Sequence, residues 1–289
     1  MDDRSKGIVA AVVLAFVFAT TGIFARELTD GFTLYQQVYV RIGLAFLMAA
    51  VVFAPYANWR VTFAAPTREW LIVLLRGVFM YTGTLLYSYA IINANYSNAT
   101  FITAAPLLPL FGYFFFKEKL TPQIIAFILT GVVGVLLISV RDWQVGTFGS
   151  GELAALACIV FFDLAYVGRK WQSGVMSNMS MATIMFLSGS LYLFGSSLIL
   201  GEALPPAATF TPWIILMLII AAFLNVFHVT LTNYTFSKIS ATLAGSILTL
   251  ETVFALLISI LLYSEIPTAV QLVGSGLILL SVYRINQLT

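Results

Sequence analysis

One acidic residue lies in the middle of a long apolar stretch, where a charge needs a specific reason to be present. The stretch covers residues 240–268, long enough to cross a bilayer as a helix, and Glu251 lies near its centre. A carboxylate at that depth costs several kcal/mol unless a partner offsets it. Glu251 is therefore our first candidate for binding a cationic substrate or a proton. The alternative is a hydrogen-bonded residue that locks two helices together.

A stripe of polar residues marks a second apolar segment. Asn225, His228, Thr232 and Thr235 recur at helical spacing and share one face. His228 is the single histidine of the chain, and an imidazole titrates near neutral pH and both donates and accepts hydrogen bonds. We expect His228 and Asn225 to face a cavity near the depth of Glu251, the alternative for His228 being a satisfied interhelical hydrogen bond.

Three further charged residues lie within apolar segments. Asp163 is followed one turn later by Tyr166, and Arg76 is predicted at a similar depth. An ion pair between Asp163 and Arg76 and a substrate contact are equally compatible with this placement. Arg41 is expected to pair with a carboxylate, although an arginine at this depth could instead bind an acidic group of the substrate.

Smaller polar and aromatic residues complete the candidate site. Met80, Thr84 and Tyr87 lie on one predicted helix face, and Tyr81 is the alternative to them on the neighbouring face. Thr103 lies in the next apolar segment. Residues of these types more often pack than bind, so we treat them as cavity-lining candidates.

The composition assigns the chain to a broad class. Of its 289 residues 61% are hydrophobic and 9% are charged, whereas a soluble domain carries about 25% charged residues. This predicts an all-α polytopic membrane protein. The small net charge of +2 gives no indication of nucleic-acid binding, and the single Cys158 excludes a disulfide framework. We expect neither a metal nor a cofactor.

The apolar segments predict ten membrane-spanning helices with short connections. They cover residues 7–25, 34–54, 70–90, 99–116, 124–140, 151–168, 181–200, 212–236, 242–262 and 269–283. The basic residues outside these spans are strongly asymmetric. With the N-terminus inside, the inner segments carry Arg4, Lys6, Arg60, Arg68, Lys117, Lys119, Arg169, Lys170, Lys238 and Arg284, whereas the outer loops carry only Arg26 and Arg141. By the positive-inside rule both termini are cytoplasmic, in a plasma (inner) membrane.

Two short motifs indicate an internal repeat. The sequence EKLT at residues 118–121 follows the fourth span, and EIPT at residues 265–268 follows the ninth. Each is followed by paired glycines in the next span, Gly131 with Gly134 and Gly274 with Gly276. We therefore divide the chain into residues 1–141 and 142–289, two five-span halves. Because five is odd, the second half is inverted in the membrane, a plan in which the substrate site lies near the midplane between the halves.

These segments resemble a known family of transporters. The stretch SNATFITAAPLLPLFGYFFFKEKLT and its counterpart SATLAGSILTLETVFALLISILLYSEIPT are similar to those of the EamA-type branch of the drug/metabolite transporter superfamily. The resemblance implies a central cavity lined by spans one to four and six to nine, with spans five and ten peripheral. Members of the family often have proline after the acidic residue, where this chain has Thr252. A kink is therefore expected in the fourth span, at Pro106 and Pro109, rather than in the ninth.

Three kinds of function remain to be compared. The first is a secondary transporter of a small amphipathic metabolite with an ammonium group, such as an amino acid, an amine or a quaternary amine, using alternating access and proton exchange. The second is a transporter of sugar-like or nucleotide-linked anions. The third is an intramembrane hydrolase with Ser246 and His228, which lacks a glycine-rich nucleophile turn. We expect a small-molecule substrate, protons and lipid as partners, no nucleic acid, and a monomer or weak homodimer.

Overall fold

The chain forms a bundle of helices with one short pair of strands. The computed structural model describes residues 3–117, 119–142, 147–239 and 241–288. Its helices are α1 (Asp3–Glu27), α2 (Leu34–Val52), α3 (Trp59–Phe63), α4 (Thr67–Asn93), α5 (Tyr96–Thr103), α6 (Leu108–Phe116), α7 (Pro122–Ser139), α8 (Ser150–Lys170), α9 (Asn178–Ile199), α10 (Pro212–Lys238), α11 (Ala241–Leu248), α12 (Leu250–Tyr263) and α13 (Ala269–Leu288). Two antiparallel strands, β1 (Val140–Asp142) and β2 (Thr147–Phe148), lie between α7 and α8.

The described residues contain the ten spans that the sequence predicts. Seven segments have the length and hydropathy needed to cross a membrane, and the shorter apolar helices Pro122–Ile138, Leu250–Tyr263 and Ala269–Ile285 supply the rest. Large apolar side chains such as Phe114, Leu191 and Leu261 are exposed on the outside of the bundle. Such a surface is expected of a protein solvated by lipid, where apolar side chains face acyl chains.

Local sequence explains where several helices begin. Thr33 caps α2 through the backbone N–H of Gln36, whose side chain accepts from Thr33 N in return. Thr211 caps α10 through the backbone N–H of Ile214, and proline occupies the first turn that follows. These caps satisfy backbone donors that have no partner within the helix.

Two spans are interrupted near their middle. The fourth span is divided into α5 and α6, and the break contains Pro106 and is followed by Pro109 in the first turn of α6. Proline lacks a backbone donor, which explains this break. The ninth span is also interrupted, at Thr249, although its backbone stays in the right-handed helical region. The prediction of a break in the fourth span alone was therefore incomplete, since a helix is interrupted in each half.

The packing of the helices follows the internal repeat. The first span packs against the eighth (α1 against α10) as the sixth packs against the third (α8 against α4). Equivalent spans of the two halves also contact each other, α2 with α9, α5 with α12 and α7 with α13. The contacts of α4 with α9 and of α1 with α12 are matched by those of α10 with α2 and of α8 with α5. Exchanging the halves therefore reproduces the same set of contacts, as two inverted five-helix repeats require. Glu118, which begins the first of the two repeated motifs, lies outside the described residues.

Helices α7 and α13 pack against each other through the predicted glycines. A Cβ atom placed on Gly134 would lie 2.5 Å from the carbonyl oxygen of Gly274, and one on Gly274 would lie 2.7 Å from the carbonyl oxygen of Gly134. Gly276, two residues further along α13, has nothing within 4 Å of such an atom. The close approach of the two backbones therefore depends on Gly134 and Gly274.

Gly274→Ala should separate α7 from α13 and lower the stability of the protein. An added methyl group would meet backbone, which cannot rotate away, and overpacking of this kind costs about 1–3 kcal/mol. Gly276→Ala is the matched control, expected to be neutral or stabilising by about 0.5 kcal/mol because alanine favours helix. Thermal unfolding midpoints in detergent measure both. Equal midpoints for the two variants would contradict the close approach described here.

Candidate functional site

A cavity lies beside the two helix breaks, in the interior of the bundle. Its empty volume is about 760 Å³, including the part open to solvent. The residues that line it come from both halves of the chain. They are Phe18, Thr103, Ala104, Ala105, Pro106, Leu108, Pro109, Ile159, Phe162, Asp163, Tyr166, Phe236, Leu248, Thr249, Glu251, Val282 and Ile285. We call this space the acidic cavity, because two carboxyl groups, Asp163 and Glu251, face it.

Glu251 is buried at the start of α12. It is 7% exposed, and its Oε1 atom lies 3.4 Å from Oγ1 of Thr103, whose hydroxyl group also donates to the carbonyl oxygen of Thr100 at 2.8 Å. The break at Thr249 places Glu251 in the first turn of α12, where backbone N–H groups and the helix dipole favour a negative charge. The interruption of the ninth span thus creates an environment for the carboxyl group that a continuous helix would lack.

Asp163 is the second carboxyl group of the acidic cavity. It is also 7% exposed, and its Oδ2 atom is buried without a hydrogen-bond partner among the residues that the structure describes. Within the described residues, no Lys or Arg forms a salt bridge with Asp163 or Glu251. A buried carboxyl group without a partner cation must be offset by a proton or a bound cation, because an isolated buried charge is very costly.

The ion pair considered for Asp163 and Arg76 is not present. Arg76 Nε donates to the carbonyl oxygen of Ala165 at 2.8 Å, Nη1 to Gln172 Oε1 at 2.6 Å and Nη2 to Asn233 Oδ1 at 3.0 Å. These acceptors are neutral and lie on α8, on α10 and in the loop after α8. Arg76 therefore joins these elements to α4, and it lines neither cavity described here.

A partition of aromatic rings bounds the acidic cavity on one side. The rings of Phe18 on α1 and Phe162 on α8 pack edge to face, with centroids 5.7 Å apart. Tyr166 stacks between Phe162 and Phe236, at 6.2 Å and 5.0 Å. Phe18 and Phe162 also line a second, smaller cavity, so their two rings separate the two spaces.

The second cavity contains a cation instead of carboxyl groups. Its empty volume is about 440 Å³. The residues that line it are Phe18, Thr21, Phe24, Arg41, Thr84, Tyr87, Ser88, Phe162, Ala221, Leu224, Asn225 and His228. We call it the arginine cavity. His228 was expected in one cavity with Glu251, and the structure instead divides them between two, because the Phe18 and Phe162 rings intervene.

Arg41 has few interactions for a buried guanidinium group. It is 4% exposed, its Nη2 atom donates to Ser88 Oγ at 3.3 Å, and its Nε atom is buried without a partner. The sequence-based expectation that Arg41 pairs with a carboxylate is wrong for the described residues, because Arg41 takes part in no salt bridge among them. Arg41 lacks such a partner because Asp163 and Glu251 line the acidic cavity, on the other side of the aromatic partition.

His228 lies beside the partition. Its ring packs edge to face against Phe18 with a centroid distance of 4.9 Å, and its Nε2 atom is buried with no hydrogen-bond partner in the described part of the chain. Asn225, one turn earlier, donates to the carbonyl oxygen of Ala221 at 2.7 Å and leaves its amide oxygen available. The polar stripe of α10 thus presents groups to the arginine cavity.

Four of the six remaining candidates line one of the two cavities. Thr84 and Tyr87 line the arginine cavity, and Thr103 and Tyr166 line the acidic cavity. Met80 and Tyr81 line neither of these cavities. Tyr81 packs so tightly against α9 that a Cβ atom on Gly189 would overlap its ring, so its placement is explained by helix packing.

Sequence reasoning missed a network of hydrogen bonds at one end of the bundle. Arg26, at the end of α1, forms a salt bridge of 2.8 Å with Glu265 and donates to the carbonyl oxygens of Ile91 and Ala94. Glu265 also accepts from Tyr96 N at 2.7 Å and from Ser259 Oγ at 2.9 Å. The guanidinium group lies over the ring of Tyr263 at 4.3 Å.

This network joins the ends of four spans, the first, third, fourth and ninth. The signal in the sequence was the acidic residue of EIPT together with Arg26, one of the few basic residues assigned to that end of the bundle. Their pairing could not be inferred, because the two residues are 239 positions apart in the chain.

A transporter is the class of protein that this arrangement defines: ten spans in two inverted repeats, with buried ionisable groups facing cavities beside interrupted helices. Within the described residues there is no group of three or more His, Cys, Asp or Glu side chains that could hold a metal ion. Comparison with known proteins agrees with this class. The model of the EamA-like transporter family matches residues 5–140 and 149–287, so the chain belongs to that family, part of the drug/metabolite transporter superfamily.

Individual relatives are more distant. An uncharacterized transporter from Archaeoglobus fulgidus is 29% identical over 215 residues, which cover 69% of this chain and 64% of the relative. Solute carrier family 35 member G1 of Mus musculus is 27% identical over 184 residues, 56% of this chain and 48% of the relative. The chain thus spans less than two thirds of either relative. A crystal structure matches with a TM-score of 0.71, 17% identity and 99% coverage of both chains, which supports the fold alone.

Proposed function

We propose that this transporter is a secondary-active carrier of a small amphipathic metabolite with an ammonium group, coupled to protons by exchange at the acidic cavity. One observation carries the proposal: Asp163 and Glu251, both from the second half of the chain, line one cavity with no salt bridge from a described Lys or Arg. The cation that such a pair needs would then be the substrate or protons.

The cavity also suits the rest of such a substrate. Apart from its two carboxyl groups, much of its lining is aliphatic and aromatic, including Phe18, Phe162 and Tyr166. An ammonium group over an aromatic ring gains about 0.5–2 kcal/mol. Glu251 would exchange its proton for the substrate cation, beside the hydroxyl group of Thr103 at 3.4 Å.

Alternating access would expose this cavity to each side in turn. The Arg26–Glu265 network would close one entrance while the other opens. The matches of the family model to two segments support a division of the chain near residues 141 and 142. We further propose a plasma (inner) membrane location with both termini cytoplasmic, in agreement with the distribution of basic residues, and a monomer or weak homodimer.

Two other functions have less support. Transport of sugar-like or nucleotide-linked anions is favoured by Arg41 in the arginine cavity, but that cavity is the smaller and the larger one is acidic. We propose no hydrolase activity. Catalysis would require a hydrogen bond between His228 and a nucleophile; His228 Nε2 has no partner among the described residues, and the side chain of Ser246 lies outside them.

A competition experiment tests the proposed class of substrate. Purified protein would be screened by thermal shift against amines, amino acids, sugar phosphates and nucleotides, since a ligand of the folded state raises its stability. We expect ammonium-bearing compounds to raise the unfolding midpoint. In Asp163→Asn the same rise should require about ten times the ligand concentration, because a charged contact is lost. Stabilisation by the anions alone would overturn the proposal in favour of the anion transporter.

A further inference from the structure

The arginine cavity contains two buried nitrogen atoms that form no hydrogen bond in the described part of the protein. Arg41 Nε and His228 Nε2 are both buried and without a partner. They lie on α2 and α10, which pack against each other, and both side chains line this space. The hydroxyl groups of Thr84 and Ser88 and the amide of Asn225 line it as well.

Such a collection of groups matches an anion. A guanidinium group presents donors in a planar fork that fits a carboxylate or phosphate, and a buried arginine without a counter-ion is unfavourable. The His228 imidazole adds a donor in the tautomer that carries hydrogen on Nε2. Groups of opposite charge therefore face the two cavities, and each set lacks a described partner of opposite sign.

The position of the partition connects these two observations. Phe18 and Phe162 line both cavities and their rings are in contact, so a rotation of either ring would join the two spaces. One molecule would then reach carboxyl groups at one end and a guanidinium group at the other. An apolar or aromatic middle section would pack against the same rings. A substrate with a cationic and an anionic group would thus offset both sets of buried charges at once.

We infer that the arginine cavity is a subsite for the anionic group of the substrate, and that the substrate is accordingly a zwitterion rather than a simple amine. This inference rests on the proposed function for its cationic end. One of the two carboxyl groups, Asp163 or Glu251, pairs with the substrate ammonium and the other is available to carry the proton. Arg41 and His228 bind the carboxylate of the same molecule.

Matched probes separate the contributions of the two ends. 6-Aminohexanoate, hexylamine and hexanoate share one skeleton with both charges, the cation alone or the anion alone. 4-(Aminomethyl)benzoate, 4-methylbenzylamine and 4-methylbenzoate form a second set, with an aromatic middle section. Their affinities would be measured by thermal shift and calorimetry on the purified full-length chain. We expect the zwitterion of at least one set to bind about tenfold or more tightly than its amine, as for gain of a charged hydrogen-bonded contact.

Variants of Arg41 then test the subsite itself. Arg41→Gln should remove the advantage of the zwitterion and leave the affinity for the amine unchanged within about twofold, the charged contact having been lost. Arg41→Lys, which retains the charge, should restore part of it, and Arg60→Gln, at an exposed arginine, should change neither. Because the comparison is between probes on one variant, it reports binding even if Arg41→Gln is less stable than the native protein.

The outcomes that overturn the inference differ from those that overturn the proposed function. If the amine and the zwitterion bind equally and Arg41→Gln changes nothing, the subsite inference fails and the proposed function stands. If neither amines nor zwitterions bind, both fail. Thermal shift in chloride and in gluconate buffers tests whether the cavity binds an inorganic anion. If chloride stabilises the protein, Arg41→Gln abolishes that stabilisation and the zwitterion is not preferred, the cavity is an inorganic anion site and the inference is overturned.

Discussion

Glu251→Gln should reduce proton-driven transport about a hundredfold, because the amide can neither carry a proton nor pair with a cation. A charged contact in a buried site contributes about 1.5–3 kcal/mol, and each 1.4 kcal/mol is a factor of ten. The amide keeps the shape of the side chain, so the fold should survive. Flux would be measured in liposomes with an imposed pH gradient, using a probe that binds in the screen above.

Two further variants and an exchange assay distinguish a loss of proton coupling from a loss of substrate binding. Glu27→Gln, which neutralises an exposed carboxylate, is the matched control and should transport normally. Asp163→Asn is the second test, because either carboxyl group could hold the proton. Exchange of labelled for unlabelled substrate without a gradient should persist in whichever variant has lost coupling alone. Full gradient-driven transport by both variants would exclude the acidic cavity as the coupling site.

Arg76→Gln should destabilise the protein by about 3 kcal/mol, whereas Arg41→Gln should cost less than about 1 kcal/mol or even stabilise it. The difference follows from their partners. Arg76 donates three hydrogen bonds to Ala165, Gln172 and Asn233, and each buried acceptor left without a donor costs about 1–3 kcal/mol. Arg41 donates a single long hydrogen bond, and removing an uncompensated buried charge is often favourable.

Thermal unfolding midpoints in detergent would compare the two variants, with Arg60→Gln as the surface control. The expected order places Arg76→Gln lowest and Arg41→Gln at or above the native protein. This order would assign Arg76 a structural role and Arg41 a role in binding, because residues kept at the expense of stability mark functional sites. A severe loss of stability in Arg41→Gln would instead indicate that Arg41 supports the fold.

Much of the architecture follows from composition and periodicity. Ten apolar segments, the asymmetry of basic residues and the repeated E-x-x-T motifs predict two inverted halves. The length and charge of each segment depend only on its own residues, and an odd number of spans in each half inverts the second half. The break at Pro106 is local for the same reason, since proline lacks a donor. The break at Thr249 carries no such local signal.

The candidate site shows the same distinction between local sequence signals and tertiary packing. The amino-acid sequence alone determined that Glu251, Asp163, His228 and Arg41 are buried in an apolar surrounding, because their neighbours in the chain are apolar. Only the tertiary structure decided that the carboxyl groups share one cavity and that Arg41 and His228 share another. That separation depends on where the rings of Phe18 and Phe162 meet, and the packing of two helices distant in the chain has no signature in the spacing of either.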